Sequence, residues 1–542
     1  MSGRVSGVCG PTVRSDAAGL ALHERVAVGR QGLTGEVVRL EAAGAVIQVY
    51  EETRGLALGE PVTGSGSSLE VVLGPGLLGR MLDGLERPLD RLLASQGPFL
   101  EAGGALPALD DRRCWPFTPG RRPGETVTAG DELGWVSEGR LRHPILVPPG
   151  RSGVLAELAS GSLTAGATVA RLADGTAIPL GQRWPVRRPR PYARKLAARR
   201  PLVTGQRIID LLFPLALGGA AIIPGGFGTG KTVLEQAIAR HAAVDVVVYC
   251  GCGERGNEMA ELVADFAGLA DPRTGGPLLD RTVLVANTSN MPVAAREASI
   301  YTAVTVAEYY RDLGLDVLLL ADSISRWAEA LREIGAALGQ MPGEEGYPTA
   351  MAGRLAAFVE RAGAVETLGG RPGSLSMILS VSPPGGDCTE PVTQALARAC
   401  GASLILDTRL AHSRHFPAIN PQASYSLFET EVRDFCQETV AADWSSLRQR
   451  CQARLRAEES LAEVAEIVGL DGLQDRDRLT MEAARLLRRR FLAQSAYGTE
   501  TASSLAATAG LARRLLEAGD AALAASAAGR PLAEAAALLE IP

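Results

Sequence analysis

The sequence predicts a multidomain protein with an N-terminal β-barrel, an inserted β-rich module, a central P-loop α/β domain with a mainly parallel sheet, and a C-terminal α-helical bundle. Three observations predict it. Short strand-like pieces separated by glycine turns fill the chain before residue 75 and recur at 111–184. From about Leu202, apolar β-branched runs alternate with helical stretches. Beyond about Phe428 the strand signals stop and helical periodicity continues. A length of 542 residues leaves room for several domains of about 150 residues each. With 46% hydrophobic and 21% charged residues, the composition is that of a folded globular chain. The net charge of -6 repels polyanions and anionic lipid, so no nucleic acid is expected among the partners.

Met1–Gly10 has no signal-peptide core, and no apolar run approaches the roughly 20 residues that cross a bilayer. We therefore expect a chain that is neither exported nor membrane-spanning. Eight cysteines stand at 9, 114, 250, 252, 388, 400, 436 and 451 without a CxxC pair, and are read as free thiols in a reducing compartment. Cys250 and Cys252 are the one close pair, for which an alternating strand end outweighs a redox couple.

Element by element, the barrel (1–75) rests on RVSGVCG, RVAVG, TGEVVRL, AVIQVYEE and EPVTG. The inserted module (111–184) rests on HPILVPP, SGVLAEL, ATVARL and GTAIPL. Segments 76–110 and 185–427 are assigned to the α/β domain, and 428–542 to the helical domain. Between Trp184 and Arg200, WPVRRPRPYARKLAARR carries seven basic residues and three prolines. It is read as a solvated linker, with a nucleic-acid or lipid patch as the alternative. GGAAIIP, VDVVVYC, TVLVAN, DVLLLAD and LSMILSVS have the continuous apolar character of strands buried in a parallel sheet. Ligands bind such sheets at the carboxyl ends of the strands. ADWSSLRQRCQARLRAEESLAEVAEIVG, DRLTMEAARLLRRRFLAQ and the alanine-rich tail through Ile541 read as amphipathic helices.

The chemistry concentrates in three loops. GGFGTGKT comprises Gly225, Gly226, Phe227, Gly228, Thr229, Gly230, Lys231 and Thr232, directly after an apolar strand run and before a helical one. Its glycines let backbone amides wrap phosphates, the helix N-terminus adds positive potential, Lys231 reaches the β and γ oxygens, and the Thr232 hydroxyl ligates magnesium. The ligands expected are ATP or ADP with Mg2+. In the second loop, GCGERGNEM, Gly251, Gly253 and Gly256 spell GxGxxG with Asp271 beyond, so a dinucleotide site is one reading. The other reading has Glu254 polarising the water that attacks the γ-phosphate, a role typically contributing about 100- to 10,000-fold. A plain surface carboxylate is the third. In DVLLLADS, Asp322 ends the buried run Val317–Leu320, where an aspartate can hold the water shell of magnesium.

Taken together these motifs resemble a known family. LTGEVVRL, IQVYEETRGL, GEPV, LGPGLLGRMLDGLERPL, HPILVPPGRSG, QRWPVRRPRP, PLVTGQRIIDLLFPLALGG, GGFGTGKTV, YCGCGERGNEMAE, NTSNMPVAAREASIYT, ADSISRWAEALREI, MPGEEGYP, SVSPPGGDCTEPVTQ and RHFPAIN are similar, in order and spacing, to the catalytic A subunit of archaeal and bacterial V-type (A-type) rotary ATPases. The resemblance covers nearly the whole chain and implies a RecA-like central domain. Its inserted module distinguishes such a catalytic subunit from the non-catalytic B subunit. By resemblance, Gly225 through Thr232 bind phosphate, Glu254 activates water, Arg255 is an electrostatic neighbour of the nucleotide, and Asp322 is the magnesium-associated carboxylate. Phe416 in RHFPAIN and Tyr497 in LAQSAYG correspond to adenine-packing aromatics, although both also read as core residues. MPGEEGYP resembles the loop that meets a central stalk, and by its own composition is an exposed turn.

The resemblance further implies an alternating ring of three A and three B subunits, in which an arginine of the B subunit is supplied in trans. Central and peripheral stalk subunits and, indirectly, a membrane rotor sector complete the expected partners, at the cytoplasmic face of the cell membrane. The expected activity is Mg-ATP hydrolysis or synthesis coupled to proton or sodium transport. The alternatives are a hexameric nucleic-acid motor, which the 4% aromatic content disfavours, an export ATPase, and a non-catalytic nucleotide-binding ring subunit. The chain departs from the family pattern in ALARACGASLILDTRLAHSRHFP, at Pro421, and in TETASSLAATAG after Tyr497.

Overall fold

A computed structural model describes residues 2–97, 101–104, 106–498 and 500–540; the end of the tail, expected to be helical through Ile541, lies outside the described residues. The chain divides into two compact units. One comprises Met1–Leu196, Val244–Val381 and Gln394–Ala399, the other Ala197–Ala243, Ser382–Thr393 and Cys400–Pro542.

In the first unit, alternating apolar residues such as Val26, Val28, Val37, Ile47 and Val62 are buried inside a closed antiparallel barrel. Its strands are Ser2–Cys9, Thr12–Ser15, Glu24–Val28, Leu33–Glu41, Gly44–Val49 and Pro61–Ser68. The pattern of the sequence missed Thr12–Ser15, because four residues hold too few alternations to register. The inserted module forms two four-stranded antiparallel sheets enclosing Trp115, Phe117, Val136, Ile145, Leu155 and Val169. Its buried His143 lies between the Glu138 carboxylate (2.6 Å) and the Tyr309 hydroxyl (2.7 Å) of the long helix Val293–Asp312.

That helix packs across a parallel sheet ordered Met81–Leu82, Thr282–Thr288, Val246–Glu254, Asp316–Asp322 and Pro372–Val381. Gly363–Glu366 adds an antiparallel strand. The apolar runs expected to be strands are strands, and Cys250 and Cys252 are buried within one of them. All eight cysteines are free.

The segment Trp184–Arg200 is only partly the solvated linker expected from its charge: Arg188, Arg194, Lys195, Arg199 and Arg200 are exposed, whereas Arg187 and Arg190 are held by carboxylates. Arg187 donates to Glu297 (2.7 and 3.1 Å) and Glu36 (3.1 to 3.3 Å). Arg190, 3% exposed, pairs with Asp312 at 2.6 Å. A guanidinium enters a protein interior when carboxylates there satisfy its planar fork of donors, and these two arginines meet that condition.

In the second unit, Ala220–Pro224 pairs parallel with Ala402–Ser403, which pairs antiparallel with Tyr425–Ser426. Then come the helices Glu429–Thr439, Trp444–Val468, Asp475–Leu487, Leu505–Ala527 and Leu532–Ala537. Ser504 caps the fourth by accepting from Ala507 N. Small residues of that helix, Ala509, Ala512, Gly519, Ala522 and Ala525, are buried against its neighbours, and a Cβ on Gly519 would stand 3.2 Å from Ala483 Cβ. Small residues let these helices approach closely. Among the described residues no helix is long and apolar enough to cross a membrane.

Candidate functional site

The phosphate loop lies in the second unit, between the buried strand Ala220–Pro224 and the helix Lys231–His241. Gly228 (φ 78°) and Gly230 (φ 84°) take left-handed conformations that side chains oppose, so glycine is required for this turn. A Cβ on Gly225 would lie 2.8 Å from both Leu406 Cβ and Thr229 Oγ1. The Thr229 hydroxyl, buried, donates to Gly226 O at 2.8 Å and pins the loop. Lys231 Nζ donates to Gly225 O (2.6 Å) and Gly226 O (2.9 Å), which holds the ammonium on the loop that a phosphate would approach. Thr232 occupies the first turn of the helix, half-buried, and Phe227 projects from the loop, 87% exposed.

Phe416 meets this loop from elsewhere in the same unit. Its ring atoms Cε1 and Cδ1 lie 3.3 and 3.4 Å from where a Cβ on Gly230 would stand, and the side chain remains 41% exposed. Tyr497, the other expected aromatic, is 74% exposed, its backbone N donating to Ser495 Oγ at 3.1 Å. Neither ring is in a core, so the core-packing reading of both fails.

The first unit carries the carboxylates. Glu254 and Asp322 stand at the carboxyl ends of adjacent parallel strands, with Gly251 opposite Asp322 in register. Asp322 is buried. Burial foremost, and then the charge of Asp322 and the neighbouring Glu258, push the Glu254 carboxyl up to about 8, while Arg326 works the other way. Such a group changes protonation near neutral pH, as a general base or water-orienting carboxylate requires. Arg326 is itself held by Glu329 at 2.9 and 3.1 Å. Arg255, exposed, begins the helix Gly256–Gly268 and lies 3.8 Å from Glu258. Glu258, Arg326 and Glu329 were not singled out in the sequence; the four-residue spacing from Glu254 to Glu258 was the one available signal.

The dinucleotide reading of GCGERGNEM finds no support in the geometry. Gly251 and Gly253 lie inside the strand Val246–Glu254, not in a turn after it. Their lack of a side chain serves packing, because a Cβ on Gly251 would meet Met259 Sδ at 2.3 Å and one on Gly253 would meet Arg326 Cβ at 2.7 Å. The MPGEEGYP segment forms an exposed turn around Glu344–Gly346. Among the described residues no cluster of three or more His, Cys, Asp or Glu is built to hold a metal ion. Mg2+ bound through a nucleotide needs only one or two protein oxygens, with phosphates and water completing the shell. Thr232 and Asp322 each offer a hard oxygen donor of that kind.

Comparison with known proteins shows the family of the chain. Residues 205–426 match the ATP synthase alpha/beta family, nucleotide-binding domain, and residues 5–66 match its beta-barrel domain. Residues 106–187 match the ATP synthase alpha/beta subunit barrel-sandwich domain, and residues 433–527 the C-terminal domain of V and A type ATP synthase. The V-type ATP synthase alpha chain of Anaeromyxobacter dehalogenans is 54% identical over 498 residues, covering 92% of this chain and 86% of that one. The A subunit of the A-type ATP synthase of Methanosarcina barkeri is 49% identical over 536 residues, covering 98% and 93%. Among solved structures, the assembled ATPase EscN of the enteropathogenic E. coli type III secretion system shares the fold, with a TM-score of 0.68 at 22% identity over 95% of this chain and 100% of that one.

Proposed function

This chain belongs to the family of V-type and A-type ATP synthase alpha and A subunits, and from that premise we propose how its residues hydrolyse or make ATP. It is the catalytic, nucleotide-binding subunit of a rotary ATPase, and works with partner subunits. Two observations, one in each unit, support the residue assignment: a complete phosphate loop at Gly225–Thr232, and a carboxylate, Glu254, whose surroundings push it up to about 8.

The substrate is Mg-ATP, whose metal offsets the charge of the β and γ phosphates. The loop amides and the Lys231 ammonium bind those phosphates, with Lys231 exchanging its carbonyl partners for phosphate oxygens. The Thr232 hydroxyl and the Asp322 carboxylate supply oxygen toward the magnesium. Glu254 orients the attacking water and accepts its proton. Arg255 adds positive potential beside the nucleotide, and Phe416 and Tyr497 pack the adenine.

Phosphoryl transfer also needs a cation facing the developing charge from the side opposite Lys231. We assign it to an arginine of a neighbouring B subunit in an alternating ring of three A and three B subunits. Such a group contributes on the order of 1,000- to 100,000-fold in related enzymes. Stalk subunits take up the motion and a membrane rotor carries protons or sodium ions, which places the chain peripherally at the cytoplasmic face of the membrane.

Magnesium-dependent turnover by this chain alone and mixed with its B partner tests the reading. Turnover that rises at least about a thousandfold on mixing supports the shared catalytic interface. Equal turnover with and without partner would show a self-contained hydrolase, and tight ATP binding without turnover in either sample would favour a non-catalytic ring subunit.

A further inference from the structure

Phe416 has to be held over the phosphate loop by something, because its ring is half-exposed and its neighbours in sequence form a loop. The main chain supplies one tie, in which Gln494 N donates to Phe416 O at 2.8 Å. Gln494 is itself 4% exposed, and its side chain makes two further bonds. Its Oε1 accepts from Arg207 N at 2.8 Å, and its Nε2 donates to Gly205 O at 2.8 Å. The Gly205–Arg207 turn is firm, since Gly205 N donates to the buried Asp210 carboxyl at 2.9 Å and a Cβ on Gly205 would stand 3.1 Å from His241 Cβ, at the end of the helix that follows the phosphate loop. Gln494 thus joins three chain segments, its side-chain amide holding it to the Gly205–Arg207 turn and its main-chain N–H holding Phe416. Neither side-chain bond belongs to a helix or sheet ladder, so local structure does not account for an amide buried here.

We propose that Gln494 is a positioning residue that fixes Phe416 over Gly230 and thereby sets the affinity of the site for the base of the nucleotide, without touching the phosphates. This rests on the reading of Phe416 as an adenine-packing residue. A packing contact with the base is made alike in the bound ground state and during reaction, so its loss weakens binding.

The test is equilibrium binding to the full chain, with Mg2+, of ATP and of inorganic tripolyphosphate, which carries the phosphates without the base. Gln494→Met keeps the volume and removes both side-chain bonds. We expect it to weaken ATP about tenfold and tripolyphosphate less than about twofold, as should Phe416→Ala. The double variant should bind ATP no more weakly than Phe416→Ala, because one residue acts through the other. Gln494→Glu, which still accepts from Arg207 N, should show a smaller loss and serves as the measurement if the Met variant does not fold. Equal losses for both ligands, an unchanged ATP affinity in Gln494→Met, or additive losses in the double variant would each overturn the proposal. An unchanged ATP affinity in Phe416→Ala would instead overturn the adenine reading on which it rests, and is seen independently of the Gln494 variants.

Discussion

Two glutamates of the first unit, Glu36 on the barrel and Glu254 at the end of a parallel strand, are both largely withdrawn from water, yet they are driven in opposite directions. Burial is the largest influence on each and pushes each upward. At Glu36 the His23 ring (2.6 Å), the Arg187 guanidinium and the Tyr50 hydroxyl outweigh it and hold the carboxyl down at about 2. At Glu254 the nearest charges are further carboxylates, Asp322 and Glu258, which add to the burial and bring the group to about 8. The difference separates a carboxylate whose charge is compensated by its partners from one whose surroundings favour its neutral form. Glu36 is surrounded by partners that consume its charge, so it joins the barrel to Arg187 and, through it, to Glu297. Glu254 is kept in an environment that its own partners make unfavourable, which is the arrangement that lets a group exchange a proton.

Exchange of the two glutamates for neutral residues should separate these roles. The largest effect expected is on catalysis, where Glu254→Gln in the assembled complex should lower kcat by about 100- to 10,000-fold while leaving the melting temperature of the chain unchanged or higher. A variant retaining more than about a tenth of wild-type turnover would place Glu254 outside the chemistry. Glu36→Ala should do the reverse. Removing one partner of a buried ion pair leaves Arg187 incompletely paired and should cost about 3–5 kcal/mol in urea unfolding, with ATP turnover per folded molecule within about twofold of wild type.

The pH dependence sharpens the same contrast. Because the folded Glu36 carboxyl sits at about 2 against an ordinary 4.5, its contribution to stability is complete above about pH 4.5 and is lost as pH falls through 2. The loss amounts to about 3 kcal/mol. Unfolding curves of Glu36→Gln should lack that slope, and an unchanged slope would assign the acid sensitivity to other groups. The smallest effect concerns the phosphate loop. Gly230→Ala forces a Cβ into a left-handed backbone at 3.3 Å from Phe416 Cε1, which should cost about 1–2 kcal/mol and weaken ATP binding by about tenfold as measured by titration.

Legibility in the sequence followed the distance along the chain over which each feature is built. The phosphate loop is contiguous, so GGFGTGKT carries its turn glycines, its lysine and its helix start within one string. Asp322 was legible as the close of an apolar run, whereas Glu254, read as part of a loop after such a run, ends the strand itself, because Gly251 and Gly253 continue the strand where turn residues were expected. Arg187 was misread as solvated because what buries it lies far off, Glu36 at 151 residues and Glu297 at 110. Gln494 left no signal at all, since its side-chain partners are 287 and 289 residues away.

The sequence by itself determined the order of barrel, inserted module, α/β core and helices, together with the glycine turn that leads from strand to helix at Gly225–Thr232, because periodicity and turn residues act over a few positions. Tertiary structure decided which strands are neighbours, placing Val246–Glu254 between Thr282–Thr288 and Asp316–Asp322 and so bringing Asp322 beside Glu254. It also decided the upward push on the Glu254 carboxyl and the pairing of Arg187 with Glu36 and Glu297. These depend on charge and desolvation, which act through space, and the chain comes together in space only once it has folded.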